Sequence, residues 1–265
     1  AEDFLGAAMS APDAAFRGDA VASLAALRDD ARRLAASIEG GAPDPGALAS
    51  GGLVVEWCAR DALEVVDMGP KGRGVRATRD LRPGELLILQ RPRASASGGA
   101  EPILSLDQKS SRLSDAAQVK LKASLTYAVV SDALLASAVN ALYDGSAAVP
   151  PVVPLETMLD VLSARVLPLL SQHPDFFPPQ ERVAPSSTQV AGVISMNCHG
   201  RRDGPKKATL LFPAVSLLNH DESPNCGHGR LRGTPMGAMF VTAMRSIAAG
   251  AELTVSYGKD EAEVE

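Results

Sequence analysis

Only three cysteines occur in the 265 residues, Cys58, Cys198 and Cys226, too few and too scattered for a disulfide framework. Their odd number points the same way, to a reducing, intracellular compartment, cytoplasmic or nuclear. An excess of positive charge is lacking as well: 26 basic against 31 acidic residues leave a net charge of -5. That removes the electrostatic footprint of a general nucleic-acid binder. No uninterrupted apolar run approaches the roughly 20 residues needed to span a bilayer. The start of the chain also lacks the basic flank and apolar core of a secretory signal, and the absence of any fixed-period repeat counts against a solenoid. With 46% hydrophobic residues the chain can still bury at least one full core, as one elaborated domain or two small ones. It opens on Ala1 and closes on the acidic stretch 259–265, as expected of a segment of a longer protein.

Between Asp19 and Ile38, the residues Leu24, Leu27, Ala31, Leu34 and Ile38 recur at steps of three and four, the spacing of one helix face. Gly40 and Gly41 should stop that helix, and the Gly/Pro/Ala/Ser-rich stretch 41–52 reads as a linker. From Leu53 onward, Leu53-Val54-Val55, Leu63-Glu64-Val65-Val66 and Glu85-Leu86-Leu87-Ile88-Leu89 are short β-prone runs punctuated by Gly and Pro. Helical spacing returns with Leu121, Leu125, Val129, Leu135, Val139 and Leu142, and again with Leu155, Met158, Leu159, Leu162, Val166 and Leu169. Residues 95–100 and 150–154 read as loop-like edges of this helical block. After about Val190 the short-strand pattern resumes. Residues 237–244 and 251–257, joined by a turn at Gly250, are expected to form a hairpin or two neighbouring strands.

The chemistry-bearing candidates begin with Leu217-Leu218-Asn219-His220, where an apolar run ends in an amide and an imidazole, followed by Pro224-Asn225. A polar pair arriving with little solvent needs specific partners, protein or ligand. Gly72-Arg73-Gly74-Val75-Arg76-Ala77 satisfies G-x-G-x-x-A, but Pro83-Gly84 arrives too soon for the phosphate-binding helix of a dinucleotide fold. The alternatives are a tight turn between strands and a glycine-lined approach of backbone to a ligand, with Lys71 or Arg73 beside it. Cys198, His199, His220, Cys226 and His228 are zinc-type ligands, yet no Cys-x-x-Cys brings them into pairs. A hydrolase relay is equally poorly supported. Ser216, His220, Asp221 and Ser223 crowd together in sequence, and no G-x-S-x-G elbow is present. Tyr257 closes an apolar alternation and precedes Gly258, so its hydroxyl is placed at a strand end.

Taken together, three motifs resemble the SET domain: residues 69–77 followed by 81–87, then Leu217-Leu218-Asn219-His220 with Pro224-Asn225, then Gly250-Ala251-Glu252-Leu253-Thr254-Val255-Ser256-Tyr257-Gly258. The resemblance implies a mainly β architecture with a helical insertion (α+β), the SET fold or β-clip, made of small sheets with a C-terminal pseudoknot. Its expected organisation is an N-terminal helical segment and linker over 1–52 and a SET domain over 53–265, with 94–190 as the insertion. The wide gap between the first and second motifs, with Val193-Ile194-Ser195-Met196-Asn197-Cys198, is similar to the SET-and-MYND and tetratricopeptide-SET branch, without its Cys-rich MYND zinc module. A branch related to the plastid Rubisco enzyme has a comparable insertion. Asp221 and Glu222 stand where the family commonly has Ser and a zinc-binding Cys, so no metal site is expected.

By the same resemblance the cofactor is S-adenosylmethionine, the partner is a protein substrate presenting a lysine, and neither nucleic acid nor membrane is engaged directly. Backbone around Lys71, Gly72 and Arg73 would lie along the cofactor, while Asn197, Ser216, Leu218, Asn219 and His220 would hold its amino-acid and adenine ends. Tyr257 would orient the attacking amine and is the expected catalytic residue. An apolar channel that desolvates the lysine lowers its pKa from about 10.4 and leaves it neutral for attack. The alternative class is a catalytically silent SET-like module whose helical block serves as a partner surface.

Overall fold

The structure, a computed structural model, describes residues 56–98, 105–107, 112–159, 184–203, 206–231, 237–257 and 262–264. All of these belong to one compact unit, Pro45–Val161 with Gln180–Glu265; the other unit, Ala1–Asp44 with Leu162–Pro179, lies outside the described residues. So do the helix expected over 19–38, the strand expected at Leu53-Val54-Val55 and the end of the 155–169 helical pattern. Among the described residues no helix is long and apolar enough to cross a membrane.

Among the described residues, four small sheets carry the architecture. The first begins with β1 (Trp57–Cys58), β4 (Leu86–Gln90) and β12 (Ala238–Ala243), continues through β11 (Cys226–Leu231) and ends at β14 (Ala262–Val264). The second has the order β10 (Asn219–His220), β13 (Glu252–Val255), β3 (Arg73–Ala77) and β2 (Leu63–Asp67). The third is β5 (Ala94–Ser97), β9 (Lys206–Leu211) and β8 (Cys198–Asp203), and β6 (Ser105–Asp107) pairs with β7 (Arg112–Ser114) in the fourth. No sheet closes into a barrel among the described residues.

The burial patterns explain where these strands sit. In β2 and β3, Leu63, Val65, Val75 and Ala77 face the core while Glu64 and Arg76 pair at the surface, the alternation of a sheet with one covered face. By contrast, every residue of β4 is buried, as befits a strand hydrogen-bonded on both sides by β1 and β12. Each fully buried Leu or Ile there contributes about 1.5–3 kcal/mol relative to exposure. Gln90 closes β4 without an orphaned amide. Its Nε2 donates to the Met158 carbonyl at 2.7 Å, and its Oε1 accepts from the Ala214 N–H at 2.9 Å. This one side chain ties the sheet to the segment that leads into Asn219.

Three helices flank the sheets among the described residues. Helix α1 (Ala116–Ser131) starts at a capping box in which Asp115 and Gln118 satisfy each other's N–H groups. It buries Leu121, Leu125 and Val129 along one face. Asp132 ends it and caps α2 (Ala133–Asn140) by accepting from the Leu135 N–H. Helix α3 (Ser187–Asn197) packs closely on the 141–149 loop: a Cβ at Gly192 would collide with the Asp144 carbonyl.

Three sequence expectations are corrected. Residues 95–97, expected in a loop-like edge, belong instead to β5, because Ala94–Ser97 finds an antiparallel partner in β9 more than a hundred positions later. Helix α3 runs on to Asn197, past the point near Val190 where strands were expected to resume, fixed by the Ser186 N-cap and by burial of Val190, Val193 and Ile194 on one face. β12 and β13 are not a hairpin. They belong to different sheets, β12 between β4 and β11 and β13 between β3 and β10, so the Gly250 turn crosses between sheets.

Candidate functional site

The site grows out of a pairing that no local pattern announces. β10 runs parallel to β13, with Asn219 opposite Thr254 and His220 opposite Val255, and β13 runs antiparallel to β3. This brings all three motifs to one edge. Asn225 binds the arrangement from the side: its Nδ2 donates to the Glu252 carbonyl at 2.7 Å and its Oδ1 accepts from the Thr254 N–H at 2.9 Å. That amide therefore satisfies β13 backbone groups left over at the margin of the pairing.

Upstream of β3, the 3₁₀ turn Gly69–Lys71 is closed by the Gly72 N–H donating to the Gly69 carbonyl. Gly72 has φ of 77°, a left-handed conformation that disfavours a side chain, and nothing lies within 4 Å of where its Cβ would stand. Gly74 serves a different purpose. A Cβ there would lie 2.8 Å from Asn219 Nδ2 and 3.1 Å from Glu252 Oε1, so the missing side chain makes room for that pair. From Arg73 to Ala77 the G-x-G-x-x-A stretch is itself strand β3, and the next element is β4 rather than a helix, so the dinucleotide reading falls.

Asn219 Nδ2 donates to the Arg73 carbonyl at 3.1 Å and to Glu252 Oε1 at 2.8 Å, which uses both of its N–H bonds. Asn197, the last residue of α3, spends its Nδ2 in the same way, on the Tyr143 carbonyl at 2.7 Å and the Val193 carbonyl at 2.9 Å. Neither Oδ1 accepts a hydrogen bond among the described residues, and neither is sealed from solvent. The Ser216 hydroxyl lies within reach of the Phe212 and Asn197 carbonyls, at 2.9 and 3.0 Å, and can donate to one at a time. It ties the turn before Asn219 to the end of α3.

Lys71 and Arg73 do not reach toward the same partner. Lys71 Nζ pairs with Glu252 Oε2 at 2.8 Å, and this hydrogen bond and charge raise its pKa above 10.5. Arg73 instead donates to the Pro151 carbonyl at 3.0 Å, and desolvation by burial lowers its pKa from the ordinary guanidinium value.

His220 departs from the buried pair expected of the sequence: Asn219 is half-buried and His220 is exposed, because the apolar run ends one residue earlier at the fully buried Leu218. The imidazole nevertheless has a partner, its Nδ1 accepting the Tyr257 N–H at 3.1 Å. That bond assigns the proton to Nε2 in the neutral ring. The two rings lie 5.2 Å apart. Tyr257 is 63% exposed overall, yet its hydroxyl points inward and donates to the Leu218 carbonyl at 2.7 Å. Burial of that hydroxyl, followed by the negative charge of Glu252, raises the phenol pKa.

With this geometry in place, the family model of the SET domain matches residues 72–258, the span from the Gly72 turn to the residue after Tyr257. The chain belongs to the SET domain family. No curated protein matches it by sequence. Among solved structures, a Plasmodium falciparum protein described as a candidate histone methyltransferase aligns with 76% of this chain and 96% of its own, at 12% identity and a TM-score of 0.31. A likeness that weak carries nothing about chemistry.

Within this SET domain the residues named from sequence divide by function. Asn197, Ser216, Leu218, Asn219, His220 and Tyr257 are linked by hydrogen bonds or chain continuity into one region, and Leu218 takes part through its carbonyl alone. Glu252 was missed. Its only sequence signal is a charged residue opening a short strand, and its two side-chain partners lie 33 and 181 positions away. At the two departures from the family pattern, Asp221 accepts from the Ser223 N–H at 2.8 Å and shapes the turn, and Glu222 is exposed; Cys226, just beyond them, is buried with its thiol pushed up to about 12. Among the described residues no group of three or more His, Cys, Asp or Glu could hold a metal ion.

Proposed function

We propose that this SET domain is an S-adenosylmethionine-dependent protein-lysine N-methyltransferase. The observation that supports it best is the pair of amides, Asn197 and Asn219, whose donors are all spent within the protein and whose oxygens are left open. Acceptors held out in this way suit a cationic ammonium such as the amino-acid end of the cofactor. The room beside Gly72 fits a ligand that approaches the backbone closely. When bound, the cofactor supplies a methyl group on a sulfonium, which leaves for the neutral amine of a substrate lysine.

The chain's own residues supply position rather than a base. Tyr257 is held at both ends, by its N–H on His220 Nδ1 and its hydroxyl on the Leu218 carbonyl, so its ring and oxygen have a fixed place. An oxygen fixed there orients the attacking amine through its lone pairs, and the alignment supplies part of the barrier lowering. Leu217 and Leu218 just before β10, and Leu253 and Val255 within β13, are buried in the core. In this reading 53–265 is the SET domain, 94–190 its insertion and 1–52 a preceding segment. The arrangement of motifs is similar to the SET-and-MYND branch without the MYND module.

Equilibrium binding of S-adenosylmethionine to the purified chain, followed by methyl transfer from labelled cofactor to proteins of a cell extract, tests the proposal. Saturable binding that Asn219→Ala weakens, with label recovered as methyl-lysine, supports it. A chain that binds no cofactor but retains a protein partner would favour the silent interaction module instead.

A further inference from the structure

Resting on that reading, we infer that Glu252 is a positioning residue of the cofactor site and the group that makes it prefer the cationic sulfonium cofactor to its neutral thioether product. The first half follows from hydrogen-bond polarity. Glu252 Oε1 accepts from Asn219 Nδ2 at 2.8 Å, and an ionised carboxylate can only accept. Turning the Asn219 amide over would set oxygen against oxygen, so Glu252 fixes Nδ2 inward and Oδ1 outward. Gly74 allows the contact, since a Cβ there would strike both groups.

The second half follows from charge. The Glu252 side chain is only 19% exposed, whereas its partner Lys71 is 55% exposed and screened by water. The carboxylate is therefore shielded less than the ammonium that balances it. Its field reaches Tyr257, where it helps raise the phenol pKa. A cofactor arriving with a positive sulfur is favoured by this field, and the same molecule after methyl transfer, neutral at sulfur, is not. Lys71 moderates the preference, which prevents the site from holding the sulfonium so tightly that its loss of charge during transfer becomes costly.

The test compares equilibrium affinities for S-adenosylmethionine and S-adenosylhomocysteine by calorimetry in the wild-type chain, Glu252→Gln and Lys71→Met, with a thermal melt of each. Glu252→Gln keeps the shape and removes the charge; it should cut the preference for the sulfonium by about fivefold, the scale of a screened charge pair. Lys71→Met should move the preference the opposite way. A purely structural role would weaken both ligands equally, and an unchanged ratio in both variants overturns the inference while leaving the methyltransferase reading intact. Should Glu252→Gln fail to fold, the direction of the Lys71→Met shift decides. A wild-type chain that binds neither ligand overturns the methyltransferase reading itself, and this inference with it.

Discussion

Gly74→Ala tests whether the close approach at β3 holds the site together. The added methyl would stand 2.8 Å from Asn219 Nδ2, 2.9 Å from Met68 Cγ and 3.1 Å from Glu252 Oε1. Met68 can swing aside, but Asn219 Nδ2 is anchored to both Arg73 and Glu252 and must break or stretch a bond to move. Overpacking of this kind costs about 1–3 kcal/mol. Alanine recovers about 0.4–1 kcal/mol by restricting the unfolded chain, so a net loss of roughly 1–2 kcal/mol is expected. Gly200→Ala, on β8 with nothing within 4 Å of its Cβ, is the matched control and should be neutral or slightly stabilising. Urea unfolding of the two variants gives the difference, and calorimetry gives their affinity for S-adenosylmethionine. Affinity should fall in Gly74→Ala alone, since only there is the Asn219 amide displaced. A Gly74→Ala protein within about 0.5 kcal/mol of its control, with unchanged affinity, would refute the close-approach argument.

Tyr257→Phe removes the hydroxyl bonded to the Leu218 carbonyl and should lower turnover at least tenfold, a loss of about 1.4 kcal/mol in the barrier, with much less effect on cofactor affinity; single-turnover rates and calorimetry separate the two. Asn225→Ala breaks two hydrogen bonds to β13 and should cost about 1–3 kcal/mol in urea unfolding; an unaffected protein would mean that β10 and β13 hold together without it. Burial pushes the thiols of Cys198 and Cys226 up to about 12, from 9.0. Their neutral forms thus stabilise the fold fully below pH 9, and that contribution is lost as pH rises from 9 through about 12. Neither thiol should react with a thiol reagent at pH 8 until the chain unfolds, which mass spectrometry of alkylated peptides would reveal.

Much of the strand content was legible because local alternation and local burial agree. Leu63 and Val65 alternate as a half-covered sheet requires, and the unbroken apolar run at 86–89 marks a strand covered on both sides; Val75 and Ala77 show the same alternation in β3, where the glycines had suggested a turn. The helical spacing of Leu121, Leu125 and Val129 was likewise sufficient for α1. Where reading failed, the deciding partner lay far away in sequence. β5 is a strand because of β9, and β12 and β13 part company because β4 and β3 claim them from opposite directions. The helix at 187–197 was obscured by β-branched residues whose one-sided burial outweighs their weak preference.

For the site, the sequence by itself determined which residues could carry chemistry: an amide and imidazole after an apolar run, glycines before a strand, and a tyrosine at a strand end. Those choices depend on side-chain type and local conformation, both encoded within a few positions. Only the tertiary structure decided how the residues face one another. The parallel pairing of β10 with β13 and the antiparallel pairing of β13 with β3 are non-local contacts, and together they set Asn219 against Glu252 over Gly74 and bring His220 and Leu218 to Tyr257. Hydrogen-bond polarity then settled which amide atoms are spent and which remain open, a property of partners and not of the asparagine itself.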